Sequence, residues 1–298
     1  METMEESTDL KGISIAESIK LFLKINVLII LFSFLFDLIL LLPLKILGTY
    51  FTEIKVDSIE PYINALGTVL VYIFIIRKII KKINSEENFQ LKIQYKPKLK
   101  EYIYVILAAI AYLFIYSNTL SLLLSAIPTS KWSEFIFNEF GKRPLLLIII
   151  STSIVAPIFE EVIYRGIILE QLNRRYGMIK AIVVSSLLFG IMHLNIEQGI
   201  NGFFIGMVLG FIYIKTNSLL LSIFLHLANN SLVIISAFIP FIDLSSEKFN
   251  LVQLLCGAIL LLIAYKFFNN IEIDTNRKFN LKIMPKVWGS KALDTDGN

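Results

Sequence analysis

Eight apolar stretches recur along this chain, and that recurrence leaves little freedom of fold. They run approximately over 25–47, 62–80, 102–127, 144–172, 179–197, 201–216, 218–239 and 249–268. A helix needs roughly 20 apolar residues to cross the hydrocarbon core of a bilayer. In lipid the backbone must satisfy its own hydrogen bonds, which favours helices. Composition closes the alternatives: 56% of residues are hydrophobic and only 17% charged, outside the range of soluble domains. The expected fold is therefore an all-α polytopic membrane protein, a bundle of about eight transmembrane helices. Its 298 residues leave room for one bundle and no sizeable soluble domain.

Residues 1–24 are polar and begin acidic, without the basic start and small-residue cleavage site of a signal peptide. The first span is expected to remain in the mature protein. The bundle is expected over 25–268, followed by a tail, 269–298, with little apolar pattern after Ile283 and the composition of a disordered segment. With the N-terminus placed inside, the inner segments carry 21 Lys and Arg and the outer segments 5. That bias predicts both termini on the cytoplasmic side of a cell membrane. The net charge of +4 then sets topology and is no nucleic-acid surface. Arg77, Lys78, Lys81 and Lys82 read as a headgroup-facing anchor. The single cysteine, Cys256, excludes a disulfide framework and a cysteine-based metal site. Gly202, Gly206 and Gly210 line one face of the sixth span, where small residues let backbones approach, and packing inside the bundle is expected.

Chemistry concentrates in three spans. Glu160, Glu161 and Arg165 interrupt an aliphatic run, although ionisable groups are costly in lipid and usually functional there. The only two histidines, His193 and His226, also lie in apolar spans. Helical spacing puts Glu161 with Arg165, Phe189 with His193, and His226 with Asn230. At 1.5 Å per residue, Glu160 lies about 24 Å from the outer edge, and His193 and His226 about 20 and 12 Å from the inner edge. The glutamates and histidines can thus converge in one cavity opening toward the cytoplasm. A lone histidine or a lone Glu–Arg pair is more often structural. Three clusters at similar depth, with Asp37 the isolated exception, weigh against that reading.

Taken in order, Glu160-Glu161-x-x-x-Arg165, Phe189-x-x-x-His193 and His226-x-x-x-Asn230 resemble the three-motif signature of the CAAX-protease and bacteriocin-processing family of intramembrane endopeptidases. The resemblance covers roughly 155–232 and implies a catalytic core at about 144–239. It implies Glu160 as general base, His193 as its partner on the attacking water, and His226 and Asn230 as stabilisers of the oxyanion. Glu161, held by Arg165, would support them. Glu160, His193 and His226 could alternatively supply the three ligands of a catalytic Zn2+; the metal-free glutamate mechanism is slightly preferred. The expected partners are the lipid bilayer and a peptide or membrane-anchored protein substrate, such as a bacteriocin or signalling-peptide precursor. The abundance of Lys, Ile and Asn suggests an AT-rich genome and a bacterial plasma membrane. A non-catalytic immunity or interaction protein, binding a sensor kinase or toxin, is the competing expectation. A transporter would show inverted repeats, and none is visible.

Overall fold

The computed structural model describes residues 12–51, 56–86, 89–93, 96–128, 131–236 and 248–271. Helices alone build the described residues: α1 (Ile15–Tyr50), α2 (Val56–Ser85), α3 (Leu99–Leu124), α4 (Lys131–Gly141), α5 (Leu145–Tyr176), α6 (Met178–Ile191), α7 (Ile196–Thr216), α8 (Leu219–Ser236) and α9 (Leu251–Asn269). Seven of these are long and apolar enough to cross a membrane, and α6 is a shorter apolar helix. The protein is an all-α polytopic membrane protein.

The helix ends show where spacing alone misplaces boundaries. Helix α1 starts at Ile15, ten residues before the expected first span at 25, because Ser14 and Glu17 form a capping box. The Ser14 hydroxyl accepts from the Glu17 N–H at 3.2 Å, and the Glu17 carboxylate accepts from the Ser14 N–H at 2.6 Å. Residues 15–24 therefore form the first turns of α1. Most of the tail expected over 269–298 lies outside the described residues.

The expected fifth span, 179–197, is divided. Helix α6 stops at Ile191, Leu194 turns with φ 53°, and Asn195 caps α7 by accepting from the Gln198 N–H at 3.1 Å. The sixth span gains those residues and runs 21 residues rather than the short stretch 201–216. Between α3 and α5, where no span was expected, stands the short helix α4. Ser133 of α4 accepts from the Asn195 amide at 2.6 Å, fastening α4 to the α6–α7 turn.

Helix α5 is the axis of the bundle. It is α-helical except at Ser151–Val155 and Val162–Leu169, where it widens to π-type turns. Such turns recur at functional sites because each adds a residue and re-aims the side chains after it. Every residue from Glu161 to Leu172 is buried. The glycine face of α7 lies against α5 and α6, as expected of packing inside the bundle. A Cβ at Gly202 would stand 3.3 Å from His193, one at Gly206 3.0 Å from Arg165 and Ser186, and one at Gly210 2.9 Å from Leu169. The far sides of α1 and α9 carry exposed apolar residues such as Val27, Ile30 and Val252, which suit lipid.

At the end of the bundle near Tyr176 the chain is strapped down. Phe89 is 2% exposed, Leu91 sits over Gly166, and the Lys92 carbonyl accepts from the Leu219 N–H at 2.9 Å. The Lys92 ammonium meets Glu170 at 2.7 Å, and the same carboxylate accepts from Tyr213 at 3.0 Å. Residues 89–93 thus lie across α5, α7 and the start of α8, on the side where the sequence reading placed an open cavity.

Candidate active site

Glu161 and Arg165 share one face of α5 and meet as expected. Arg165 Nη1 donates to Glu161 Oε1 at 2.7 Å, and both side chains are 0% exposed. The arginine is satisfied further by the Gly206 carbonyl, 3.1 Å from Nη2, and by the face of the Phe189 ring, 4.6 Å from the guanidinium carbon. Hydrogen bonds and a cation–π contact are what make a buried pair tolerable in a low dielectric.

The glutamate does more than neutralise the arginine. Glu161 Oε1 also lies 2.9 Å from His226 Nδ1, and Glu161 Oε2 accepts from the Ser222 hydroxyl at 2.6 Å. A carboxylate only accepts, so Nδ1 of His226 carries the proton and the ring is held in one orientation. Its other nitrogen, Nε2, lies 3.7 Å from Glu160 Oε2. A gap of that size is wider than a hydrogen bond and suits a bridging water. Glu160, 13% exposed in its side chain, stands on the open side of the cluster, while His226 is 4% exposed.

His193 occupies the opposite flank. Its Nδ1 lies 2.9 Å from the Phe189 carbonyl, one turn back on α6. A carbonyl also only accepts, so Nδ1 bears the hydrogen and Nε2 presents a lone pair. Among the described residues His193 reaches the cluster through ring packing. Phe189 takes His193 and His226 edge-on, with centroids at 5.1 and 5.6 Å. Tyr164 packs on the same ring at 5.1 Å. One aromatic side chain therefore spaces both histidines and roofs the arginine.

Asn230 sits one turn beyond His226. Its amide donates to the Thr152 carbonyl at 2.9 Å and its oxygen accepts from Asn229 at 3.2 Å, tying α8 to the first widened turn of α5. The structure thus gathers Glu160, Glu161, Arg165 and His226 into one cluster and sets His193 and Asn230 at its margins. Ser222 was missed by the sequence reading, although its place four residues before His226 was visible. The carbonyls of Gly206, Phe189 and Thr152 are backbone groups that no motif could display.

The arrangement does not fit a metal ion. Among the described residues no group of three His, Cys, Asp or Glu side chains could hold one. His226 turns Nε2 toward Glu160 at 3.7 Å, while His193 contacts the edge of the Phe189 ring. Glu160, His193 and His226 therefore do not assemble as the zinc triad considered from sequence, and no step below uses a metal. A groove of about 550 Å³ runs along the outer side of this α6 turn, lined by Leu187, Gly190, Ile191, Leu194 and Phe203. It contains neither Glu160 nor a histidine, so it is not the chemical centre.

Residues 142–232 match the family described as Rce1-like, type II CAAX prenyl endopeptidase. The chain is also 30% identical over 132 residues to a Bacillus subtilis (strain 168) protein named "Putative membrane peptidase YdiL". That alignment takes 44% of this chain and 53% of the relative, so the chain spans about half the relative's length. No solved structure matches. The matched segment, residues 142–232, contains all three motifs and every residue of the cluster, so the likeness to type II CAAX prenyl endopeptidases falls on the candidate site itself.

Proposed function

We propose that this protein is an intramembrane endopeptidase that hydrolyses a peptide bond of a membrane-associated peptide or protein precursor, using water activated by Glu160. The observation that carries the reading is the placement of His226, with Nδ1 2.9 Å from Glu161 and Nε2 3.7 Å from Glu160. A buried histidine held by one carboxylate and aimed at another is the geometry of proton transfer.

In this reading the attacking water donates one hydrogen to Glu160 Oε2. Glu160 takes its proton as the oxygen attacks the scissile carbonyl, and the carbonyl π electrons move onto oxygen. His193, whose Nε2 lone pair faces away from its helix bond, accepts the second hydrogen of the water and orients it. The oxyanion is met by the free N–H of the Asn230 amide and, when His226 carries a second proton, by its Nε2–H. Preorganised donors of this kind contribute several kcal/mol in a water-poor site. The proton on Glu160 then passes to the leaving nitrogen as the C–N bond breaks. Two products leave, one with a new carboxyl group and one with a new amine.

The same reading places the protein in a bacterial plasma membrane with both termini inside, supported by the Lys and Arg bias of 21 to 5. The test is a comparison of peptides from cells carrying the wild-type protein, Glu160→Ala or His193→Ala. A precursor should accumulate in both variants while the membrane-embedded protein remains at normal abundance. If both variants restore the phenotype of a deletion strain, the bundle acts as a binding scaffold for a partner, and the peptidase reading fails.

A further inference from the structure

Ser222 belongs to none of the three motifs, yet it is 0% exposed and makes the shortest bond to Glu161, 2.6 Å. The glutamate divides its oxygens. Oε1 receives both Arg165 Nη1 and His226 Nδ1, while Oε2 receives the Ser222 hydroxyl. The terminal torsion of a glutamate is soft and roughly two-fold. Two donors on one oxygen do not fix the carboxylate plane; a third on the other oxygen does. Ser222 Oγ also lies 3.3 Å from the Leu209 carbonyl. A single hydroxyl proton serves the closer, charged acceptor first.

Ser222 lies one turn before His226 on the same face of α8. The path from Ser222 to Glu161, on to His226 and back along that turn closes a small ring of hydrogen bonds and helix backbone. Within it the imidazole direction depends on the carboxylate plane, and that plane depends on Ser222. We propose that Ser222 is a positioning residue of the peptidase site, acting on His226 through Glu161 and holding Nε2 toward Glu160. This rests on the peptidase reading above and adds a residue that sets rate without touching substrate.

The test is a double-mutant cycle on purified full-length protein, with wild type, Ser222→Ala, Glu161→Gln and the combination. The probe is the peptide whose accumulation separates Glu160→Ala cells from wild type. Ser222→Ala should lower kcat about 10- to 100-fold, the size of one hydrogen bond to a charged group, with KM within about 2-fold. In the Glu161→Gln background the same change should cost less than about 3-fold, because its route to His226 is already cut. Ser222→Cys, which keeps the shape and weakens the donor, should fall between serine and alanine and serves if the alanine variant fails to fold. Equal losses in both backgrounds, or a loss confined to KM, would overturn the proposal and make Ser222 a packing residue. If Glu160→Ala abolishes cleavage and Ser222→Ala leaves kcat intact, only the positioning role falls. If Glu160→Ala changes no peptide, the peptidase reading fails and the positioning role with it.

Discussion

Arg165→Met isolates what the buried pair contributes. The arginine is 0% exposed and makes three contacts: Glu161 at 2.7 Å, the Gly206 carbonyl at 3.1 Å and the Phe189 face at 4.6 Å. Methionine keeps much of the stem but strands Glu161 with only Ser222 and His226 as donors. Removing one partner of a buried pair costs about 3–5 kcal/mol, because the remaining charge is left uncompensated. For a chain of this size that corresponds to roughly 10 °C in Tm. The assay is thermal unfolding in one detergent, followed by size-exclusion of the fluorescently tagged protein. Combining Arg165→Met with Glu161→Gln should recover most of the lost Tm, since no charge remains buried without a partner. It should not recover activity, because His226 then faces an amide instead of a carboxylate. Two results would refute the reasoning: a single variant within about 2 °C of wild type, or a pair variant that recovers activity as well as stability.

Glu160→Gln should abolish peptidase activity, by 100-fold or more as expected for a lost general base, while Tm stays within a few degrees. Gly206→Ala places a methyl 3.0 Å from Arg165 Nη2 and from Ser186, and should cost about 1–3 kcal/mol in thermal unfolding. Phe189→Ala removes the ring that spaces both histidines; the expected loss is about 3–5 kcal/mol in stability, accompanied by loss of cleavage. Treatment of purified protein with a chelator should leave the cleavage rate unchanged, since the donors do not assemble as a ligand set; a rate restored only by added Zn2+ would contradict that geometry.

Local spacing made much of this site readable. Glu161 and Arg165 pair at four residues' separation because an α-helical turn puts them on one face. The glycine register of α7 likewise marked a close-packed face. Contacts between helices were not readable in the same way. Motif order suggested His193 as the partner of Glu160; the structure adds His226 beside both glutamates and an edge contact of His193 with Phe189, neither of which spacing displays. The expected support role of Glu161 takes a specific form that spacing could not show, a bond to a histidine from another helix. The start of α1 was legible in Ser14 and Glu17, but attention to apolar runs alone passed over it. The widened turns of α5 left no visible signature, and they shift the register of the residues that follow.

The short length of α6 bears on how the bilayer and the bundle affect one another. Fourteen residues rise about 21 Å, against a hydrocarbon core of about 30 Å, and the helix stops two residues before His193. A membrane meeting a wall this low thins locally at a modest free-energy cost. Headgroups and the water they carry are then drawn down beside α6 toward His193. On the peptidase reading proposed above, lipid thickness would be a rate variable, with shorter acyl chains easing water entry and longer ones opposing it.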